Sequence, residues 1–195
     1  FSYGRKCNQV KIRSMVLRLP IQHDAAGQPV IDPSRKYSDD GYVPDWDFME
    51  QYMKSLNTQP LVTQRGGSVS PTLGVDKWKE FSLTRICQIS MGNKFDNDKM
   101  SHENPTVNFV SRTAKNNGVA DFVDVINGIE PYAAGSLTVA LGGSIGSCFL
   151  QEKPFYTGQN VAVLVFDSVV GNTAKLFLST LFMHECHSKF VAFGR

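Results

Sequence analysis

An α+β fold is predicted, a twisted β-sheet punctuated by glycine and flanked by helices, and three observations predict it. Short apolar runs separated by turn residues fill the chain from Trp78 onward. One amphipathic stripe of helical period follows Asp45, and a second helical stretch follows Asn172. The chain has 195 residues, 42% hydrophobic and 19% charged, including 13 Phe, which is enough to bury a core and excludes both a disulfide-stapled miniprotein and a disordered chain. The longest wholly apolar run, Val161 to Phe166, falls far short of the roughly 20 residues that span a bilayer, so no membrane segment is expected.

Taken in order, residues 7–20 read as a half-buried strand, because Val10, Ile12, Met15, Leu17 and Leu19 mostly alternate with polar neighbours before Pro20. Residues 22–43 are rich in Asp, Gly, Pro and Ser and read as a loop or linker. Asp45 is placed to cap a helix over about 45–57, accepting hydrogen bonds from its first free amides. Met49, Tyr52, Met53 and Leu56 then fall at i, i+3, i+4 and i+7. That stripe packs either on its own domain or in a helix seam with a partner. Residues 57–76 are poor in periodic apolar positions and form a second linker.

Six β segments follow, Trp78 to Phe81, Arg85 to Ser90, Thr106 to Ser111, Leu137 to Leu141, Cys148 to Leu150 and Val161 to Phe166. Glycines at 92, 118, 128, 135, 142, 143, 146 and 158 mark the turns between and around them. A closing helix runs from Thr173 to about Ser188, with Asn172 as its cap and Leu176, Phe177, Thr180, Leu181 and His184 on one face. Near the ends, Phe1-Ser2-Tyr3-Gly4-Arg5 and Val191-Ala192-Phe193-Gly194-Arg195 share an apolar-x-aromatic-Gly-Arg pattern, which suggests one period of a repeated unit.

The four cysteines, at 7, 87, 148 and 186, form no Cys-x-x-Cys pair and read as free thiols in a reducing cytoplasm. The chain begins with Phe, and no charged segment followed by an apolar one opens it, so no secretory signal is read and a fragment of something longer is expected. His184-Glu185-Cys186-His187 places its histidines three apart rather than the four that a zinc-binding helix pair needs, so no metal is expected. Gly142-Gly143-Ser144-Ile145-Gly146-Ser147 lacks the Lys-Ser/Thr ending of a nucleotide loop and reads as a tight turn, although such a turn can offer amides to a phosphate. No cofactor is implied. A nucleophilic dyad on Cys148 finds no local support.

Net charge is +2, unevenly spread: residues 61–120 carry eight Lys/Arg against five Asp/Glu, and residues 121–195 four against six. Within the basic part, Ser111-Arg112-Thr113-Ala114-Lys115-Asn116-Asn117-Gly118 follows an extended apolar run and ends in a turn-forming Asn-Gly. Arg forks onto guanine and Asn pairs bidentately with adenine, so the loop holds the inventory of a base reader; a plain hairpin loop has much the same composition. Lys94 and Lys99 suit phosphate contacts.

Trp78 to Leu83 with Ile86 and Ile89-Ser90-Met91-Gly92, then Val110-Ser111-Arg112-Thr113 with Asn116-Asn117-Gly118-Val119, resemble the target recognition domain of the DNA-specificity (S) subunits of Type I restriction-modification systems and of their Type IIB and fused Type IIG relatives. Gly135 to Ala140, Gly142 to Ser147 and Pro154-Phe155-Tyr156-Thr157-Gly158 are similar to that family's central strands and aromatic segment. Tyr3-Gly4-Arg5-Lys6, Leu19-Pro20 and Pro44 to Glu50 resemble the end of a preceding recognition domain and its entry into a spacer helix, shorter here than the long helices of many Type I subunits.

The resemblance implies the tail of one unit over 1–43, a spacer helix over 44–58, a linker over 59–75 and a recognition domain over 76–195. It implies a non-catalytic component that grips double-stranded DNA, reads base edges and docks a methyltransferase subunit and a restriction subunit. No Asn-Pro-Pro-Tyr or Asp-Pro-Pro-Tyr methyltransferase motif is present. Arg112, Thr113, Lys115, Asn116 and Asn117 are the expected reading loop, Lys94 and Lys99 the phosphate contacts, and Ser144 and Gln159 additional candidates. Met49, Tyr52, Met53 and Leu56 are the packing seam. A one-repeat chain is also expected to homodimerise, mimicking a two-repeat subunit. The rival readings are a β-rich ligand-binding or structural module and a hydrolase using Cys148.

Overall fold

The computed structural model describes residues 7–58 and 73–190, with the side chains of 57 and 58 outside the description. The repeat pattern at the two ends of the chain and most of the second linker lie outside the described residues.

The segment expected as a single strand over 7–20 is instead a short helix followed by a strand. Asn8 caps α1 (Gln9–Arg13) by accepting from the Lys11 amide at 3.0 Å, which turns the chain before it extends as β1 (Val16–Leu19). The apparent alternation fails there: Val10 is 74% exposed, whereas Ile12 is fully buried. Residues 22–43 form an irregular excursion closed by three isolated bridges, Ile21 with Pro44, His23 with Pro29 and Ile31 with Tyr42. Asp24 and Asp32 each accept amides from the residues that follow them, which organises its two turns.

α2 (Trp46–Thr58) starts where Asp45 Oδ1 accepts from the Phe48 amide at 2.9 Å. Met49 is fully buried, Tyr52 and Met53 are half-buried against the core, and Leu56 is 48% exposed. This helix lies along α4 (Asn172–Lys189), where Tyr52 meets the Phe177 ring edge-on at 5.8 Å.

After α2 come β2 (Lys79–Ser82), α3 (Leu83–Ile86) and β3 (Gln88–Ser90). The strand expected over 85–90 thus opens as helix at 85 and 86: α3 is one turn that buries both Leu83 and Ile86, and the strand begins only after Cys87. β4 (Val107–Val110), β6 (Leu137–Ala140), β7 (Cys148–Leu150) and β9 (Val161–Val165) fall within the expected segments. Two strands lie outside them, β5 (Val119–Val123) and β8 (Phe155–Thr157).

These strands form three sheets. β1 pairs antiparallel with β2; a four-stranded antiparallel sheet has the order β3-β9-β6-β7; a three-stranded sheet has the order β5-β4-β8, with β4 and β8 parallel. The main core lies between the four-stranded sheet, β1-β2 and the helices, with Leu17, Phe81, Leu137, Leu164 and Phe182 completely or almost completely buried. Each such side chain contributes about 1.5–3 kcal/mol of burial. A second cluster, Val107, Phe109, Val123 and Tyr156, fills the three-stranded sheet, and Val110, Phe155, Val161 and Val163 form a third.

α4 differs from expectation in two ways. Gly171 occupies the cap position with no side-chain hydrogen bond, and Asn172 is already helical. The buried line runs through Ala174, Leu178, Phe182 and Cys186 with Phe177 beside it, leaving Leu176 40% exposed and Thr180 and His184 at the surface. Helical residues four apart stack on one face, so 174, 178, 182 and 186 form the buried row of a helix that packs on α2 and β7.

Candidate nucleic-acid interface

At the end of β4 the chain enters a loop closed by the Ser111 amide on Gly118 O at 2.8 Å and the Gly118 amide on Lys115 O at 2.9 Å. Thr113 Oγ1 accepts from the Lys115 amide at 3.1 Å. Asn116, Asn117 and Gly118 then take three successive left-handed conformations, with φ of 48°, 53° and 81°. Such a backbone costs about 1 kcal/mol or more at an ordinary residue and least at Asn and Gly, which accounts for the residue types found there. Gln151, 1% exposed, donates from Nε2 to Asn117 O at 2.8 Å and to Thr138 Oγ1 at 2.9 Å.

Three further segments are tied to this loop or to the end of β4, directly or through one another. In the turn from β6 to β7, the Ser144 amide donates to Arg112 O at 3.1 Å, and a Cβ on Gly143 (φ 61°) would stand 2.8 Å from that same oxygen. The Gly-rich turn thus spends an amide on Arg112 instead of presenting it to a phosphate. In the turn from β8 to β9, the Gly158 amide donates to Val110 O at 2.9 Å and Asn160 O accepts from the Leu141 amide at 2.8 Å. Residues 92–95 are tied to the same place, because Asn93 and Thr157 exchange two hydrogen bonds and Phe95 bridges Gly158.

The result is one continuous edge built from segments 92–95, 111–118, 141–147 and 158–160. These segments hold Lys94, Arg112 and Lys115 and no Asp or Glu. All three cations are exposed, and among the described residues none of them forms a salt bridge. Asn116, Asn117 and Gln159 are exposed beside them, and Thr113 and Ser144 are half-buried. From Asn116 and Asn117 an open groove of about 420 Å³, outside the carboxylate-free edge, continues past Asn108, Phe122 and Lys153 and past the acidic Asp121 and Glu152.

Of the residues singled out from sequence, this edge brings together Lys94, Arg112, Thr113, Lys115, Asn116, Asn117, Ser144 and Gln159. Lys99 stands apart, on a short turn (Asn97–Lys99) against β5, 3.7 Å from the Asp96 carboxylate. There Asn97 Nδ2 and the Phe122 amide donate to Asp121, with His102 alongside at 3.2 Å, and these hydrogen bonds hold its carboxyl below the usual carboxylate range. Sequence reading did not single out Gln151, Asn93, Lys153 or Asn160; a polar residue trailing a short strand carries no signal of what it touches.

Cys148 is fully buried, and burial pushes its thiol well up, away from the reactive thiolate. His184 and His187 are exposed while Cys186 is buried, so the three diverge; among the described residues no group of three or more His, Cys, Asp or Glu side chains is placed to hold a metal ion. No described helix is long and apolar enough to cross a membrane.

No curated protein matches the sequence. Among solved structures, the chain is similar to the S subunit of a Type I restriction-modification system from M. genitalium, at 13% identity and a TM-score of 0.43, over 54% of this chain and 27% of that one. It is similar to the HsdS subunit from Thermoanaerobacter tengcongensis at 14% identity and a TM-score of 0.47, over 75% of this chain and 35% of that one. A third structure, described as the basis of complex assembly and conformational transition of the type I R-M system, shows 15% identity and a TM-score of 0.45 over 72% and 35%. The matched part is thus about a third or less of each of those chains. The family model for the Type I restriction modification DNA specificity domain matches residues 75–194, more than half of the 195, and the chain therefore belongs to that family.

Proposed function

We propose that this chain binds double-stranded DNA through the edge formed by segments 92–95, 111–118, 141–147 and 158–160, as the specificity subunit or part of it. The family supplies DNA specificity and is not itself catalytic. The observation that carries the location is the composition of that edge, three exposed cations and several exposed amides with no carboxylate among them. Lys94 and Lys115 contact phosphates, while Arg112, Asn116 and Asn117 meet base edges in the major groove. Lys99 lies outside the contact. Partner subunits perform the chemistry: a methyltransferase subunit flips and methylates adenine and a restriction subunit cleaves, both directed by the bound sequence. The complex is cytoplasmic. If the chain is a single repeat, two copies supply the two half-sites.

The test is fluorescence anisotropy of the chain with random-sequence duplex DNA across a salt series, with R112A and K115A beside it. Expected are a linear fall of log affinity with log salt and, at low salt, weaker binding for each variant, about tenfold for K115A, which also shallows the slope by about 1, and less for R112A, whose base contacts a random sequence mostly leaves unused. Absence of binding at low salt, persisting when the methyltransferase subunit is added, overturns the reading in favour of a β-rich module with another ligand.

A further inference from the structure

The reading loop holds a costly conformation at its most amide-rich point. Asn116, Asn117 and Gly118 are all left-handed, and the exposed side chains of the first two aim only as well as that backbone is fixed. Two features fix it from beneath. A Cβ on Gly118 would lie 3.3 Å from Val110 Cγ1 and 3.4 Å from Phe149 Cδ2, so the loop sits directly on the sheet. The Gln151 side chain, 1% exposed, then bonds Asn117 O at 2.8 Å.

Gln151 is itself immobilised. Its backbone extends the β6–β7 ladder, with its amide on Ser136 O at 2.9 Å and its carbonyl accepting from Gly135 at 2.8 Å. Its Nε2 also bonds Thr138 Oγ1 at 2.9 Å, and that hydroxyl donates to Phe149 O at 3.4 Å. A buried amide with both Nε2 protons used on fixed acceptors has one orientation, and it transmits the position of β6 to the loop.

We propose that Gln151, without touching DNA, is a positioning residue that sets sequence specificity by holding Asn117 in place through the Thr138–Gln151–Asn117 chain of hydrogen bonds. This rests on the reading of 111–118 as the DNA-reading loop. Phosphate contacts from Lys94 and Lys115 tolerate small displacements, whereas bidentate base contacts do not. Loss of the strut therefore separates specific from non-specific binding.

The full chain is used to select a preferred sequence from a random duplex pool, and the ratio of affinities for the preferred and a scrambled duplex is measured for wild type, Q151M and T138V. Q151M keeps the length of the side chain without the donor; T138V keeps the β-branched shape and removes only the second acceptor, so it remains informative if Q151M does not fold. Expected is a fall of about tenfold in the ratio for Q151M and a smaller fall for T138V, with scrambled-duplex affinity within about twofold of wild type and an unchanged salt slope. Folded variants that keep the ratio, or lose both affinities in parallel with thermal stability, overturn the role of Gln151 alone. A wild-type chain that binds no duplex, or enriches no sequence, even with the methyltransferase subunit added, overturns the recognition reading and this inference with it.

Discussion

Gly143 and Arg112 meet so closely that a single methyl group would separate them. The left-handed φ of 61° and the 2.8 Å approach to Arg112 O both exclude a side chain at 143. G143A is therefore expected to lower stability by about 1–3 kcal/mol in urea denaturation and to weaken duplex binding as R112A does, because the Arg112 backbone must move. Acid affects another residue. The Asp121 carboxyl lies below its ordinary 3.8 in the folded chain, so its contribution is present above that value and is lost as pH falls through the folded value. D121N should be less stable than wild type at pH 7, and the difference should shrink steadily below about pH 4, as urea midpoints at several pH values would show. Some of this was legible from residue type: Arg112, Lys115 and the Asn pair announce an exposed polar loop. Lys99 looked equivalent to Lys94, but the former faces Asp96 near β5 and only the latter reaches the edge with Arg112, a difference set by tertiary placement.

At the scale of elements, α2 depends on a cap and a face. D45A removes the acceptor of the Phe48 amide and is expected to cost about 1 kcal/mol in thermal or chemical denaturation. F182A, in the buried row of α4, is expected to cost about 3–5 kcal/mol, whereas L176A, on a residue predicted from sequence to lie on one face with Phe177, should cost far less because that side chain is 40% exposed. α2, β6 and β9 were legible because their apolar residues are either strictly periodic or continuous. α1 was hidden because Asn8 caps a helix too short to show its period. β5 is an edge strand whose Val-Ala-Asp-Phe-Val run mixes exposed and buried positions, and β8 has only three residues; each is recruited by pairing with β4, a contact 12 to 47 residues away in sequence at the paired positions Phe109 with Asp121, Val107 with Val123 and Phe109 with Tyr156.

Across the whole molecule, β8 and β9 are consecutive strands that enter different sheets, and the turn between them, 158–160, lies where the two sheets meet. Val110 and Phe155 from one sheet and Val161 and Val163 from the other bury a common cluster beneath that point. Loops from both sheets therefore converge on one rigid base, and the candidate edge inherits its geometry from the core. That convergence could not be read from sequence, since its four segments span residues 92 to 160 and only the sheet pairing brings them together. The measurement that tests it most directly is a titration of the isotopically labelled chain with a duplex, followed by backbone amide shifts. The largest changes are expected in 92–95, 111–118, 141–147 and 158–160, with little change at Lys99 and across 22–43. Changes centred on Lys99, or on the 22–43 excursion, with this edge silent would contradict it.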